Sequence, residues 1–175
     1  MKYAIKISHK GSKMRDSTVI EDFKKSWDFS RGMTIEFIKE LPDNMWEYTP
    51  NKRYAPLCKQ FRHMIWVTGL YREAIQTKKM RDCESKKEHY TGSTTKEDIL
   101  KGFEVEQKKL DELLKELEGT ELEDCIIQAF GLEMRFVEFT HALIQHESTH
   151  QGLWSFYATL GEFKTPKSWQ ENWGI

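Results

Sequence analysis

The sequence is poor in cysteine and proline, contains no long apolar run and carries no excess of either charge. Its three cysteines, Cys58, Cys83 and Cys125, are odd in number, far apart and never spaced C-x-x-C. A reducing, cytoplasmic setting is therefore expected. The 27 basic and 28 acidic residues leave a net charge of −1, which argues against nucleic-acid binding by bulk electrostatics. No apolar stretch approaches the roughly 20 residues of a membrane-spanning helix. The opening residues Met1–Lys6 lack the apolar core of a signal peptide. Strand–helix–strand alternation and internal repeats are missing too, which removes parallel α/β folds and solenoids.

What remains is a chain of 175 residues, suited to one domain spanning 1–175, with residues 1–17 as a polar, basic lead-in. A chain of this size buries about 70% of its unfolded surface and needs no covalent staples. Six Trp and ten Phe supply aromatic mass for a core. Four segments carry helical periodicity. The first runs through Ile20, Phe23, Trp27, Met33, Phe37, Ile38 and Leu41, with a slip around Ser30-Arg31-Gly32, and ends at Leu41-Pro42. The second has Pro56 in its first turn and a wide apolar stripe from Leu57 to Ile75 that includes His63. A charged loop over 78–92 follows, too rich in Asp and Glu for a nucleic-acid patch. Thr94 and Glu97 fit a capping box opening the third helix, which carries Ile99, Phe103, Leu110, Leu113, Leu114 and Leu117 and stops at Gly119. Residues 120–135 are ambiguous, with Cys125–Gly131 reading as a short strand or turn. The last helix starts near Phe136 and runs to Gly161, and an aromatic tail with Trp169 and Trp173 packs over the rest. The fold class expected is all-α, a four-helix bundle with a short irregular or β-like segment before the last helix.

The chemistry concentrates in His146-Glu147-Ser148-Thr149-His150. Residues i and i+4 of a helix lie on one face, roughly 5–6 Å apart, so both imidazoles can reach one ion. Both fall on the apolar stripe and are expected to point inward. Two core histidines with ordinary hydrogen-bond partners are the plain alternative. Among the other histidines, His141 faces away by about half a turn, and His9 and His89 lie in polar, loop-like segments. His63 is the best third ligand. Three imidazoles with an open fourth position match a catalytic metal site better than a closed structural one. Glu147 is the candidate catalytic residue, because H-E-x-x-H is also a zinc-protease signature in which the Glu is general base. Position i+1 equally allows it to face solvent or pair with a Lys or Arg of a neighbouring helix. The extended protease signature needs Gly and His where Leu153 and Phe156 stand. Gly152 reads either as a site of close helix approach or as a tolerated mid-helix glycine. Trp66, Met64, Phe156 and Tyr157 are candidates for a pocket wall, with plain core packing as the commoner role.

These residues resemble a family. Trp27–Thr34 followed by Glu40-Leu41-Pro42, then Phe61-Arg62-His63-Met64-Ile65, then Gln145–Gly152, and finally Leu160–Pro166 are similar in order and spacing to the DinB/YfiT-like superfamily. The resemblance runs from about Trp27 to the end. It implies an antiparallel four-helix bundle holding a divalent metal, zinc or nickel, on His63, His146 and His150. It implies thiol-dependent transferase or isomerase chemistry with low-molecular-weight thiols such as bacillithiol or mycothiol, an electrophilic small molecule as the other partner, and frequent homodimers. The family often carries Gln after the Gly of its second motif, where this chain has Leu153. The function expected is metal-dependent activation of a thiol or water. The alternatives are a non-catalytic metal- or ligand-binding bundle and, third, a hydrolase of the H-E-x-x-H type.

Overall fold

A computed structural model describes residues 16–82, 90, 92–120, 122 and 124–174, with side chains from 19 onward. The lead-in expected over 1–17 lies outside the described residues except for its last two, which already belong to α1. Cys83 and His89 also lie outside, as does most of the expected charged loop.

The described chain is mostly helical, with one small antiparallel sheet. It forms α1 (Asp16–Glu40), α2 (Leu57–Thr77), α3 (Lys96–Glu116), β1 (Ile126–Ala129), β2 (Leu132–Arg135), α4 (Phe136–Leu160) and α5 (Lys167–Trp173). None of these helices is long and apolar enough to cross a membrane. Local chemistry accounts for the boundaries. Pro42 follows α1 because proline disfavours helical backbone in the residue before it. Pro56 is the N-cap of α2, one position earlier than the sequence suggests, and its missing N–H costs nothing there. The cap of α3 is Thr95 rather than Thr94: its side chain accepts from the Asp98 amide, while its hydroxyl donates to the Asp98 carboxylate. The ambiguous stretch resolves into a hairpin pairing Ile126 with Arg135 and Ala129 with Leu132. Its two turn residues both take positive φ, 55° at Phe130 and 75° at Gly131, the pattern that matches the twist of a two-residue hairpin.

The helices pack in a closed ring, α1 on α4 and α3, and α2 on α3 and α4. Cross-helix pairs give their directions. Phe23 meets Phe136 and Phe37 meets Trp154, so α1 and α4 run the same way. Trp27 bonds Gln107 and Lys24 bonds Asp111, so α1 and α3 run oppositely. Tyr71 stacks on Phe139 and Phe61 meets Trp154, so α2 and α4 are also opposed. Up the same direction, α2 and α3 pair Gly102 with Ile65 and Glu106 with Arg72. The order is thus up, down, down, up. α2 therefore ends at one end of the helix ring and α3 begins at the other, with residues 78–95 between them in the chain. Gly102 is part of this packing: a Cβ there would sit 2.8 Å from the Ile65 side chain.

The core is divided. One apolar cluster joins Phe23 and Trp27 to Leu70, Ile75, Leu110, Leu114, Ile127, Phe136 and Leu143. A second joins Phe37 and Ile38 to Phe61, Ile65, Phe103, Trp154 and Trp169. Between them every long helix contributes buried polar residues: Ser30, Arg31 and Thr34 from α1, Thr68 from α2, Glu106 from α3, Glu147 and Gln151 from α4. The slip in the apolar period of α1 is this layer passing through the helix. The aromatic tail closes the second cluster: Trp169 is fully buried, stacked 4.9 Å from Phe37, with its indole N–H donating to the Met33 carbonyl at 3.1 Å.

Candidate metal centre

Because α2 and α4 run oppositely, His63 faces the middle of α4. The ring centroid of His63 lies 5.5 Å from that of His146 and 5.3 Å from that of His150, and the two α4 rings are 5.0 Å apart. One nitrogen from each imidazole lies within 4.8 Å of the other two, an arrangement able to hold a metal ion. All three residues are half-buried. His141 is exposed, as its position on the helix requires, and His9 and His89 fall outside the described residues.

Electrostatics suits the cluster to a cation. Burial, and then the neighbouring His63 imidazole, push His146 down to about 4. Burial and the other two imidazoles bring His150 down to about 4 as well. Both rings are therefore neutral at pH 7 and offer lone pairs. His146 Nε2 and His150 Nδ1 are buried with no hydrogen-bond partner. Such atoms are costly to leave unpaired, and a metal ion is one group able to satisfy an imidazole nitrogen. An all-imidazole donor set fits a divalent transition metal and selects none of Zn, Ni, Cu or Fe by itself.

The α4 histidines do not occupy the centre of the buried face, as their place in the apolar period suggests. That centre belongs to the residues one step on, Glu147 and Gln151, which are 0% and 1% exposed. The Glu147 carboxylate accepts from the Thr34 hydroxyl at 2.5 Å and lies 3.3 Å from Arg31 Nη2. Burial pushes the Glu147 carboxyl upward, against the pull of Arg31 and Thr34. The Arg31 guanidinium lies 4.5 Å from each of the Trp27 and Phe103 rings and donates to Thr68 Oγ1 at 2.7 Å. The Gln151 amide donates to the Ser30 carbonyl at 2.7 Å and to Thr34 Oγ1 at 2.9 Å. Glu147 is thus joined to the arginine of a neighbouring helix, one of the two placements its position allows.

Sequence reasoning missed Arg31, Thr34 and Gln151 as members of this layer; the slip at Ser30-Arg31-Gly32 was the available signal. Of the pocket-wall candidates, Trp66 lies 5.6 Å from His63, Met64 and Tyr157 are core, and Phe156 is half-exposed. Gly152 makes no close approach, since a Cβ there would meet nothing within 4 Å. Leu153, where the family often has Gln, packs partly buried against the second apolar cluster. Glu171, the acidic residue of the aromatic tail, pairs with Lys167 on α5 at 3.0 Å.

The family model described as the DinB superfamily matches residues 26–153, well over half of the chain. The matched span contains all three clustered histidines and the Arg31, Thr34, Glu147 and Gln151 layer. No curated protein matches the chain.

Proposed function

The chain belongs to the DinB superfamily, and on that premise we propose that it is a divalent-metal-dependent enzyme, built as one four-helix-bundle domain over 1–175. The closed ring of contacts among α1, α2, α3 and α4 supports the bundle. The observation that carries the function is the convergence of His63, His146 and His150, with nitrogens within 4.8 Å of one another.

Zinc or nickel is the expected ion, and when bound it supplies a Lewis acid that lowers the pKa of a thiol or a water. The three imidazoles are neutral ligands and leave room for one more donor. Their partial exposure gives an incoming molecule access, and Trp66 beside His63 offers an aromatic wall. The reaction class we assign is transfer of a low-molecular-weight thiol, or of water, to an electrophilic small molecule. Glu147 receives no catalytic role in this reading. Its carboxylate is engaged by Thr34 and Arg31, which weighs against a hydrolase of the H-E-x-x-H type. A cytoplasmic location and a homodimer belong to the same proposal, the first on cysteine usage and the second on the family resemblance.

The test is elemental analysis of the purified protein combined with a panel of thiols and electrophiles. Near-stoichiometric metal and turnover that disappears in His63→Ala, His146→Ala and His150→Ala support the proposal. Undiminished turnover in metal-free protein overturns it.

A further inference from the structure

We propose that the buried layer of Arg31, Thr34, Glu147 and Gln151 is a positioning device that sets the roll of α4 and so aims His146 and His150 at His63. The inference rests on the three-histidine metal reading.

The geometry begins with spacing. Glu147 and Gln151 are four residues apart, as are His146 and His150, and the pairs are offset by one residue. On a helix that offset is about 100°, so fixing the direction of one pair fixes the other. A ring nitrogen carried roughly 6 Å from the helix axis moves about 1 Å for a 10° roll. Ligand constellations tolerate about 0.5 Å of misplacement. Small rolls of α4 therefore matter to the histidines.

Apolar packing alone resists such rolls weakly, because the hydrophobic effect is non-directional. Hydrogen bonds are directional and weaken steeply with angle. On this face α4 has three of them to α1: Thr34 to Glu147 at 2.5 Å, Gln151 to the Ser30 carbonyl at 2.7 Å and Gln151 to Thr34 at 2.9 Å. Thr34 is the hinge pin of the set, donating to Glu147 while accepting from Gln151. Arg31 adds the charge contact to Glu147 and ties it through Thr68 to α2, the helix that carries His63. The layer consequently links both metal-bearing helices to α1. Burying an ion pair is a poor source of stability compared with apolar residues of similar volume. A role in alignment accounts for its presence at the level of the histidines.

The test uses the full chain and Co(II) alone as probe, read by affinity and by visible ligand-field spectrum, with thermal unfolding of the metal-free protein in parallel. The double variant Arg31→Met/Glu147→Leu removes both charges while keeping apolar volume, and is expected to stay folded yet bind Co(II) about tenfold more weakly with an altered spectrum. Thr34→Val is expected to do the same and Thr34→Ser to restore wild-type values, because only the hydroxyl matters to the proposal. Wild-type Co(II) affinity and spectrum in folded Thr34→Val overturns the positioning role while leaving the metal site standing. Should the double variant fail to fold, the Thr34 pair decides alone. Failure of the wild-type protein to bind Co(II) overturns the metal reading and this inference together.

Discussion

Two polar pairs share the middle of α4, one residue out of step, and their surroundings make them opposites. His146 and His150 are half-buried, each with a buried ring nitrogen that meets no partner. Glu147 and Gln151 are fully buried, and α1 engages both through Thr34, Arg31 and Ser30. The helix alone cannot distinguish the pairs, since both have the i, i+4 spacing of a ligand grip. The facing helix decides: α1 presents hydroxyl, carbonyl and guanidinium groups, while α2 presents another imidazole. One face is held by α1, with Glu147 Oε2 and Gln151 Oε1 still lacking a hydrogen bond, and the other brings three imidazoles together in an arrangement able to hold an ion.

The largest expected effect on this contrast is Glu147→Ala. It leaves the Arg31 charge buried without its carboxylate, and a loss of about 3–5 kcal/mol is expected in urea unfolding of the metal-free protein. His150→Ala, measured in the same way, is expected to be near neutral because it removes an unsatisfied buried nitrogen. Equal losses at the two positions would erase the distinction. Next comes the ion itself. Zinc at a hundredfold excess over its Kd should stabilise the wild-type chain by about 2.7 kcal/mol and His63→Ala hardly at all. Matching shifts in thermal unfolding would place the ion elsewhere.

A smaller effect separates the pairs by pH. The folded metal-free chain holds the His146 and His150 protons only below about 4, whereas the unfolded chain holds them up to an ordinary value of 6.5. Between those values the unfolded state binds more protons, so the stability contributed by these rings falls as pH drops. Glu147 has the opposite sign. Its raised carboxyl binds a proton more readily when folded, so its contribution is present at low pH and lost as pH rises through the folded value. Melting profiles of the wild type and of His146→Leu/His150→Leu should diverge below pH 6.5; parallel profiles would contradict the assigned burial. The smallest effect falls on the exposed side of the same helix. Gly152→Ala should raise stability by up to about 1 kcal/mol, because the new Cβ meets nothing within 4 Å. A loss in thermal unfolding would show that this face is covered.

Much of this arrangement was legible in the sequence. Four long helices follow from apolar residues at threes and fours, and the three histidines from spacing and from their place on helices. The hairpin was only half visible, because Ile126–Ala129 and Leu132–Arg135 are four-residue strands too short for a period to declare itself. The up, down, down, up order was hidden because periodicity says nothing of direction, and only the length of the 78–95 connection hinted at it. The polar layer was the deepest omission. Arg31 and Glu147 lie more than a hundred residues apart, and the sequence offered Glu147 a basic partner on a neighbouring helix without pointing to which one. Their burial depends on Trp27 and Phe103 flanking the guanidinium, a tertiary fact that no local pattern carries.

The central claim is that His63 completes the pair on α4 as one metal site. Calorimetric titration of metal-free protein with Zn(II) tests it most directly, on the wild type and on a His63→Ala variant shown to be folded. One ion per wild-type chain, with that binding lost in the variant, is the result expected. Equal binding by the two proteins, or none by the wild type, would contradict it.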